Sequence, residues 1–401
     1  MPSLSRQKEP HFMNSKITFF PVDNGDMTLL QLADDRQTCL LIDCRIRRSA
    51  DDPSDTTPDV AYELRKRIKN DARGRPFVDA MLLSHPDEDH CLGLRAHFWL
   101  GPVEDYPDDD KGQSQKKIII RELWSSPMVF RRASKKLTLC DDAKAFAKEA
   151  RRRVQANRDC GFIVPDGDKI LILGQDKSGK TDGLERILVR QGEVIRGING
   201  IGSNLLESRL LAPFREQEED VEEELSKNDS SVVINFSIKE SSSGLYSSRF
   251  LVGGDSGVCI WERLWREYTK DDLQYDLLLA PHHCSWRSLS HDSWSENGND
   301  AEVSEDARSA LAQANENAFI VSSSKPVIDD DNDPPCIRAK REYKSILGSD
   351  GIFKCTGEEP IRGKPQPLEF KAARSGFSKV IAAAATVSVA SSAPPRAGSD
   401  D

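Results

Sequence analysis

The run Leu82-Leu83-Ser84-His85-Pro86-Asp87-Glu88-Asp89-His90 decides how the whole chain is read. Two histidines and three carboxylates fall within the six residues 85–90, directly behind the largely apolar run 78–83. Imidazole and carboxylate are the side chains that hold Zn²⁺, Mn²⁺ or Fe²⁺, and a turn that bunches them lets one loop serve metal ions. The run before them has the length and composition of a buried strand. The ligand-type residues are therefore expected in a loop at the C-terminal end of a strand, where α/β folds hold their chemistry on a rigid sheet.

The same grammar recurs outward from this point. Upstream, the apolar runs 17–20, 28–32 and 39–42 read as buried strands, the last two joined by a polar turn at 33–36, and Val60, Leu64 and Ile68 share one face of a helix predicted over 59–70. Downstream, strands are expected at 231–236, 249–252 and 276–279, and the last two run into Gly253-Gly254-Asp255 and Pro281-His282-His283-Cys284-Ser285. A helix over 304–315, a strand at 318–321 and a basic helix near 337–347 complete this part. A single His or Asp at a strand end is commonly a structural hydrogen-bonding group. Three loops that end strands in this way point together to a metal site.

Composition sets the outer limits. With 401 residues and 37% hydrophobic content, the chain can bury a full core. The net charge of -10 and the acidic run 216–224 argue against nucleic-acid binding through bulk electrostatics, and leave room only for a local basic or metal-centred groove. Nine cysteines without a C-x-x-C pair, and no secretory signal pattern, indicate a reduced, cytoplasmic protein. No segment approaches the ~20 apolar residues that span a bilayer, so membrane insertion is not expected. Residues 1–15 read as a flexible segment and 376–401 as a disordered Ala/Ser/Pro-rich tail. Between them, 16–375 form one domain with an irregular, variable region at about 91–227. That region holds one amphipathic helix carrying Phe146, Ala147, Ala150 and Val154, with basic residues on its other side.

The motifs resemble those of a known family. His85-x-Asp87-x-Asp89-His90 is similar to the H-x-D-x-D-H variant of the metallo-β-lactamase fold signature, in the form found in ComEC-type DNA-internalisation competence proteins. Val22-Asp23-Asn24-Gly25-Asp26 resembles the first strand turn of that family, Leu41-Ile42-Asp43-Cys44 its second, Phe250-Leu251-Val252-Gly253-Gly254-Asp255 its F-L-x-x-G-D strand, and Pro281-His282-His283-Cys284-Ser285 its P-H-H-G-S. Asn228-Asp229-Ser230-Ser231 is similar to its N-x-x-S element. The resemblance implies an α/β protein built as a four-layer αββα sandwich, binding one or two divalent ions of Zn²⁺ or Mn²⁺ type. It makes His85 and Asp87 ligands of one ion. Asp89, His90 and one histidine of the adjacent pair would hold the other, with Asp255 bridging. His282 is favoured as that ligand, and His283 as a supporting residue or proton donor. Asp43 would orient the ligand loop through hydrogen bonds. Asn228 and Ser231 are candidates to contact substrate, or alternatively to close a turn before a strand.

The chain also departs from the pattern. Arg45 and Cys284 stand where the family has glycine, and no histidine lies between His97 and His282 to complete the first ion. The implied activity is metal-dependent hydrolysis, foremost of a phosphodiester, with a nucleic acid as substrate, Asp89 orienting the nucleophile and His283 donating a proton. A small phosphodiester or other ester is the alternative substrate. A partner-controlled effector subunit of a bacterial defence or toxin-type system, docking protein through the acidic loop, is the alternative class. Gly174-Gln175-Asp176-Lys177-Ser178-Gly179-Lys180-Thr181 fits the phosphate-loop expression G-x-x-x-x-G-K-[ST]. Asp182-Gly183 is poor material for the helix such a loop must open, so the segment reads as a polar hairpin turn.

Overall fold

The computed structural model describes residues 14–51, 56–107, 111–127, 139–176, 179–214, 230–245 and 247–381. Residues 1–13, the acidic loop 216–224, Asn228 and the tail beyond 381 lie outside them.

The protein is mixed α/β. An 11-stranded sheet contains β1 (Lys16–Phe19), β2 (Thr28–Gln31), β3 (Cys39–Ile42), β4 (Pro76–Leu83), β5 (Ile118–Ser125), β6 (Lys169–Leu173) and, at one edge, β7 (Leu188–Val189), in that order. A 7-stranded sheet contains β8 (Leu206–Ala212), β9 (Val233–Lys239), β10 (Ser247–Val252), β11 (Tyr275–Leu279), β12 (Ala314–Ser322) and β13 (Ile352–Cys355), again in order. The chain then returns to the first sheet, where β14 (Leu368–Ala373) pairs with β1, and β15 (Gly376–Lys379) with β14.

Alternation along the strands decides what packs where. In β3, Leu40 and Ile42 point into a core shared with Ile234, Phe236, Phe250, Val252 and Leu279 of the second sheet. Cys39 and Leu41 point the other way, into a core shared with α1 (Val60–Arg65), the short α2 (Glu88–Cys91) and α3 (Asp141–Asp159). In the second sheet, Val233, Leu251 and Leu278 turn outward onto α4 (Val258–Glu267), α5 (Glu305–Leu311) and α6 (Ile337–Leu347). Strands covered on both faces explain the unbroken apolar runs of the sequence. Each fully buried Leu, Ile or Phe contributes roughly 1.5–3 kcal/mol.

Several expectations are corrected. The helix expected over 59–70 ends at Arg65, because Lys69–Asn70 form a short strand on Phe77 and Pro76, closed by Asp71 accepting from Arg73 N and Arg75 N. The helix expected over 304–315 stops at Leu311, since Ala314 already pairs with Tyr275. The variable region supplies the long buried strand β5, parallel to both β4 and β6, and so belongs to the heart of the first sheet. On α3, Phe146, Ala150 and Val154 face the core as expected. Arg153 also turns inward, paired with Glu149 at 2.8 Å and donating to the carbonyls of Ile120 and Lys169. Packed structure reaches past both expected ends. Ser15 is buried and bonded to Glu240 and Ala372, and β15 continues to Lys379. No helix among the described residues is long and apolar enough to cross a membrane.

Candidate metal centre

Register brings the candidate residues to one edge. Thr28 pairs antiparallel with Ile42, and Ile42 parallel with Leu82, so the turn before β2 and the loops after β3 and β4 share an end of the first sheet. Strands β10, β11 and β12 are parallel, so the loops after them share an end of the second. Backbone hydrogen bonds stitch these loops together. Asp26 N donates to Asp89 O at 3.1 Å, Cys44 N to His90 O at 2.8 Å, and Asp43 N to Leu82 O at 2.8 Å. Val232 N donates across to Ser84 O at 3.0 Å, and His282 N to Gly254 O at 2.9 Å.

Four of the seven histidines gather there, around the buried carboxylate of Asp255. One oxygen, Oδ1, lies 2.9 Å from His90 Nε2 and 3.4 Å from His283 Nε2. The other, Oδ2, lies 3.6 Å from His85 Nε2 and 3.6 Å from His282 Nε2. On the Oδ1 side, His283 also stands 3.4 Å from Asp89 Oδ2 and 3.5 Å from Asp26 Oδ1. On the Oδ2 side, Asp87 comes 3.7 Å from His85. Two sets of donor atoms, each within 4.8 Å of one another, could hold a metal ion: Asp26, His90, Asp255 and His283, and His85, Asp89, His90 and Asp255. Asp87 and His282 fall outside both sets and lie at their margin.

The adjacent histidines are split by their backbone. His282, His283 and Cys284 are all left-handed, with φ of 50°, 54° and 70°. Left-handed non-glycine residues are uncommon and cost of order 1–3 kcal/mol each, so three in a row persist only where the surroundings hold them. The turn sends one ring to each oxygen of Asp255. His283 is fully buried, whereas the side chain of His282 is 15% exposed. Cys284 takes the conformation that a glycine at this point of the motif would adopt freely.

Asp43 is buried. It accepts from the backbone and hydroxyl of Ser84, both at 2.7 Å, and stands 2.8 Å from His90 Nδ1, which fixes that ring for whatever Nε2 binds. Ser231 is likewise buried, and its hydroxyl accepts from Asp255 N at 3.2 Å, so it holds the ligand loop from behind. Asp26, not singled out in the sequence as a candidate ligand, belongs to the first of the two donor sets and closes the turn before β2.

The donor set fits a divalent ion. Among the described residues, Asp26 Oδ1, His85 Nε2 and both ring nitrogens of His283 are buried without a hydrogen-bond partner. Buried polar atoms are rarely left so, and a cation held among these residues, with His283 offering one ring nitrogen, would give them a partner. Zn²⁺ and Mn²⁺ accept this mixture of imidazole and carboxylate. Electrostatics agree. Burial, reinforced by His90, lowers His85 to about 3 and keeps it neutral. Burial pushes His283 the same way, but Asp255 and Asp26 outweigh it and raise it to about 10. Burial would raise Asp255, yet His90, His283 and His85 hold it well below the usual carboxylate range. Without a metal, protons occupy part of the charge balance that a cation would supply.

The phosphate-loop candidate looks different. Residues 179–187 form turns, no helix opens at Lys180, and Thr181 uses its hydroxyl locally, accepting from Asp176 N at 3.2 Å. Lys177 and Ser178 lie outside the described residues. The expected hairpin is also corrected, because β6 and β7 run parallel.

No family model matches the chain, and no curated protein matches it.

Proposed function

We propose that the protein is a metal-dependent hydrolase of the metallo-β-lactamase fold, an αββα sandwich related to the ComEC-type competence proteins, and that it cleaves phosphodiesters. Two face-to-face sheets with helices on both outer sides support the fold reading. The observation that carries the chemistry is Asp255, whose two oxygens each face imidazoles from different loops. A carboxylate so placed suits a pair of ions. Bound there, Zn²⁺ or Mn²⁺ would supply Lewis acidity and bring the pKa of water near 7.

In this reading His90, His283 and Asp26 hold the inner position, His85, His282 and Asp87 the outer one, and Asp255 both. Asp89, with a side chain 36% exposed, reaches from the inner position toward the cleft and orients the attacking water. His283 is too enclosed to hand a proton to a leaving group, so its role is to hold the ion. The more open His282 stays with the outer position, and the leaving group takes its proton from water in the cleft. Asp43 and Ser84 keep His90 aligned throughout. All nine cysteines are free thiols, which fits a cytoplasmic setting.

The test is cleavage of end-labelled single-stranded DNA, duplex DNA and RNA with Mn²⁺ or Zn²⁺, beside Asp89→Ala. Metal-dependent cleavage lost in the variant is the expected result. A metal-loaded protein that cleaves none of these polymers, nor a small aryl phosphodiester, would overturn the reading.

A further inference from the structure

The candidate centre opens onto a cleft of about 550 Å³ whose walls include Arg45, Asp87, Glu88 and Asp89. Three carboxylates at the mouth would repel an anionic substrate, and Arg45 is the cation among the residues that line it. Its guanidinium is oddly placed for a structural residue. Nε and Nη1 are buried, and neither has a hydrogen-bond partner. Of the nearby carboxylates, Asp23 pairs with Arg47 and Asp89 with His283, and Glu88, though close, makes no hydrogen bond to Nε or Nη1. Taking a guanidinium out of water without giving it an acceptor is unfavourable, so an acceptor that arrives with a ligand explains the arrangement.

The route by which Arg45 reaches the cleft is built into the backbone. A Cβ at Gly25 would lie 2.2 Å from Arg45 Cδ and 2.6 Å from Asp89 O, so only glycine lets the arginine stem cross the turn before β2. The related motif has glycine where this chain has Arg45, which makes the arginine a feature of this chain. Its planar fork suits two oxygens of a tetrahedral oxyanion.

We propose that Arg45 binds a non-reacting oxygen of a phosphate-class group and positions that group beside the candidate metal centre. The inference rests on the phosphodiesterase reading for its substrate class, but the binding step can be measured without turnover. Inorganic phosphate is titrated calorimetrically into the Mn²⁺-loaded full chain, its Arg45→Ala variant and its Arg45→Lys variant, with metal content and melting temperature measured on each. Phosphate binds the wild type, about tenfold or more weakly to R45A, and at intermediate strength to R45K, with metal content equal in all three. Equal affinity in wild type and R45A, or no phosphate binding by the metal-loaded wild type, overturns the inference. Should R45A fail to fold, R45K decides alone, because it keeps the charge and removes the fork. If diester cleavage is found, R45A raises KM more than it lowers kcat, and an unchanged KM counts against the proposal. A protein that binds phosphate through Arg45 yet cleaves no diester removes the hydrolase reading and leaves this one standing.

Discussion

Two loops of the first sheet invite comparison. One follows β4 and carries residues 85–90, the other follows β6 and carries residues 174–181, and the two strands flank the same neighbour, β5. Both match a short functional pattern. The first is met by loops from both sheets, which bring Asp26, Asp43, Asp255, His282 and His283 to it. The second closes on itself through Thr181. Motif letters become a site where separate segments supply the remaining donors, and the register of the strands decides whether they do.

The sharpest way to break this contrast is Asp255→Ala. Loss of the shared carboxylate should empty both positions, with metal content after dialysis at background and hydrolysis down by at least about a thousandfold. Retained metal would mean that the loops do not depend on one another. Next comes Asp89→Ala, which should abolish hydrolysis while circular dichroism shows an intact fold.

The adjacent histidines sharpen the picture further. His283→Ala should remove one metal position and also destabilise the metal-free protein by about 3 kcal/mol in denaturant titrations, because buried Asp26 and Asp255 lose a charged neighbour. His282→Ala, nearer solvent, should weaken metal affinity about 10–100-fold with little change in stability. Equal effects of the two would contradict the split by the left-handed turn.

Protons give a subtler measure. In the metal-free protein His283 keeps its proton up to about pH 10, and a metal requires the neutral ring. Below pH 10 that proton has to leave, so affinity should rise with pH between 6 and 9. Calorimetry in two buffers of different ionisation enthalpy should then show proton release on metal binding. Lys180→Ala should have the smallest effect, leaving metal content, hydrolysis and stability unaltered, with no nucleotide binding in either form. A loss of ATP affinity would restore the phosphate-loop reading.

Much of the candidate site was legible because its residues punctuate apolar runs: His85, Asp87, Asp89 and His90 behind one, Asp255 behind another. Asp26 was less visible as a ligand, since a carboxylate in a turn is ordinary until the pairing of Thr28 with Ile42 places it beside Asp43. The partition of His282 from His283 depends on backbone angles that residue types do not encode. Strand β5 was hidden by Arg121 and Glu122, which break its apolar run. Glu122 is tolerated inside because Trp124 Nε1 and Asn199 N both donate to it. Helices at 59–70 and 304–315 were drawn too long because neighbouring strands claimed their last turns.

The residues gathered at Asp255 also carry a timetable. A ribosome delivers Asp26, Asp43 and the 85–90 loop early, and His282 and His283 some two hundred residues later. Until then the growing chain holds only part of the candidate centre. On the proposed reading, metal loading would follow the docking of the two sheets. Ion uptake, followed on stalled nascent chains of increasing length, would mark the moment when synthesis has gone far enough for the molecule to be finished.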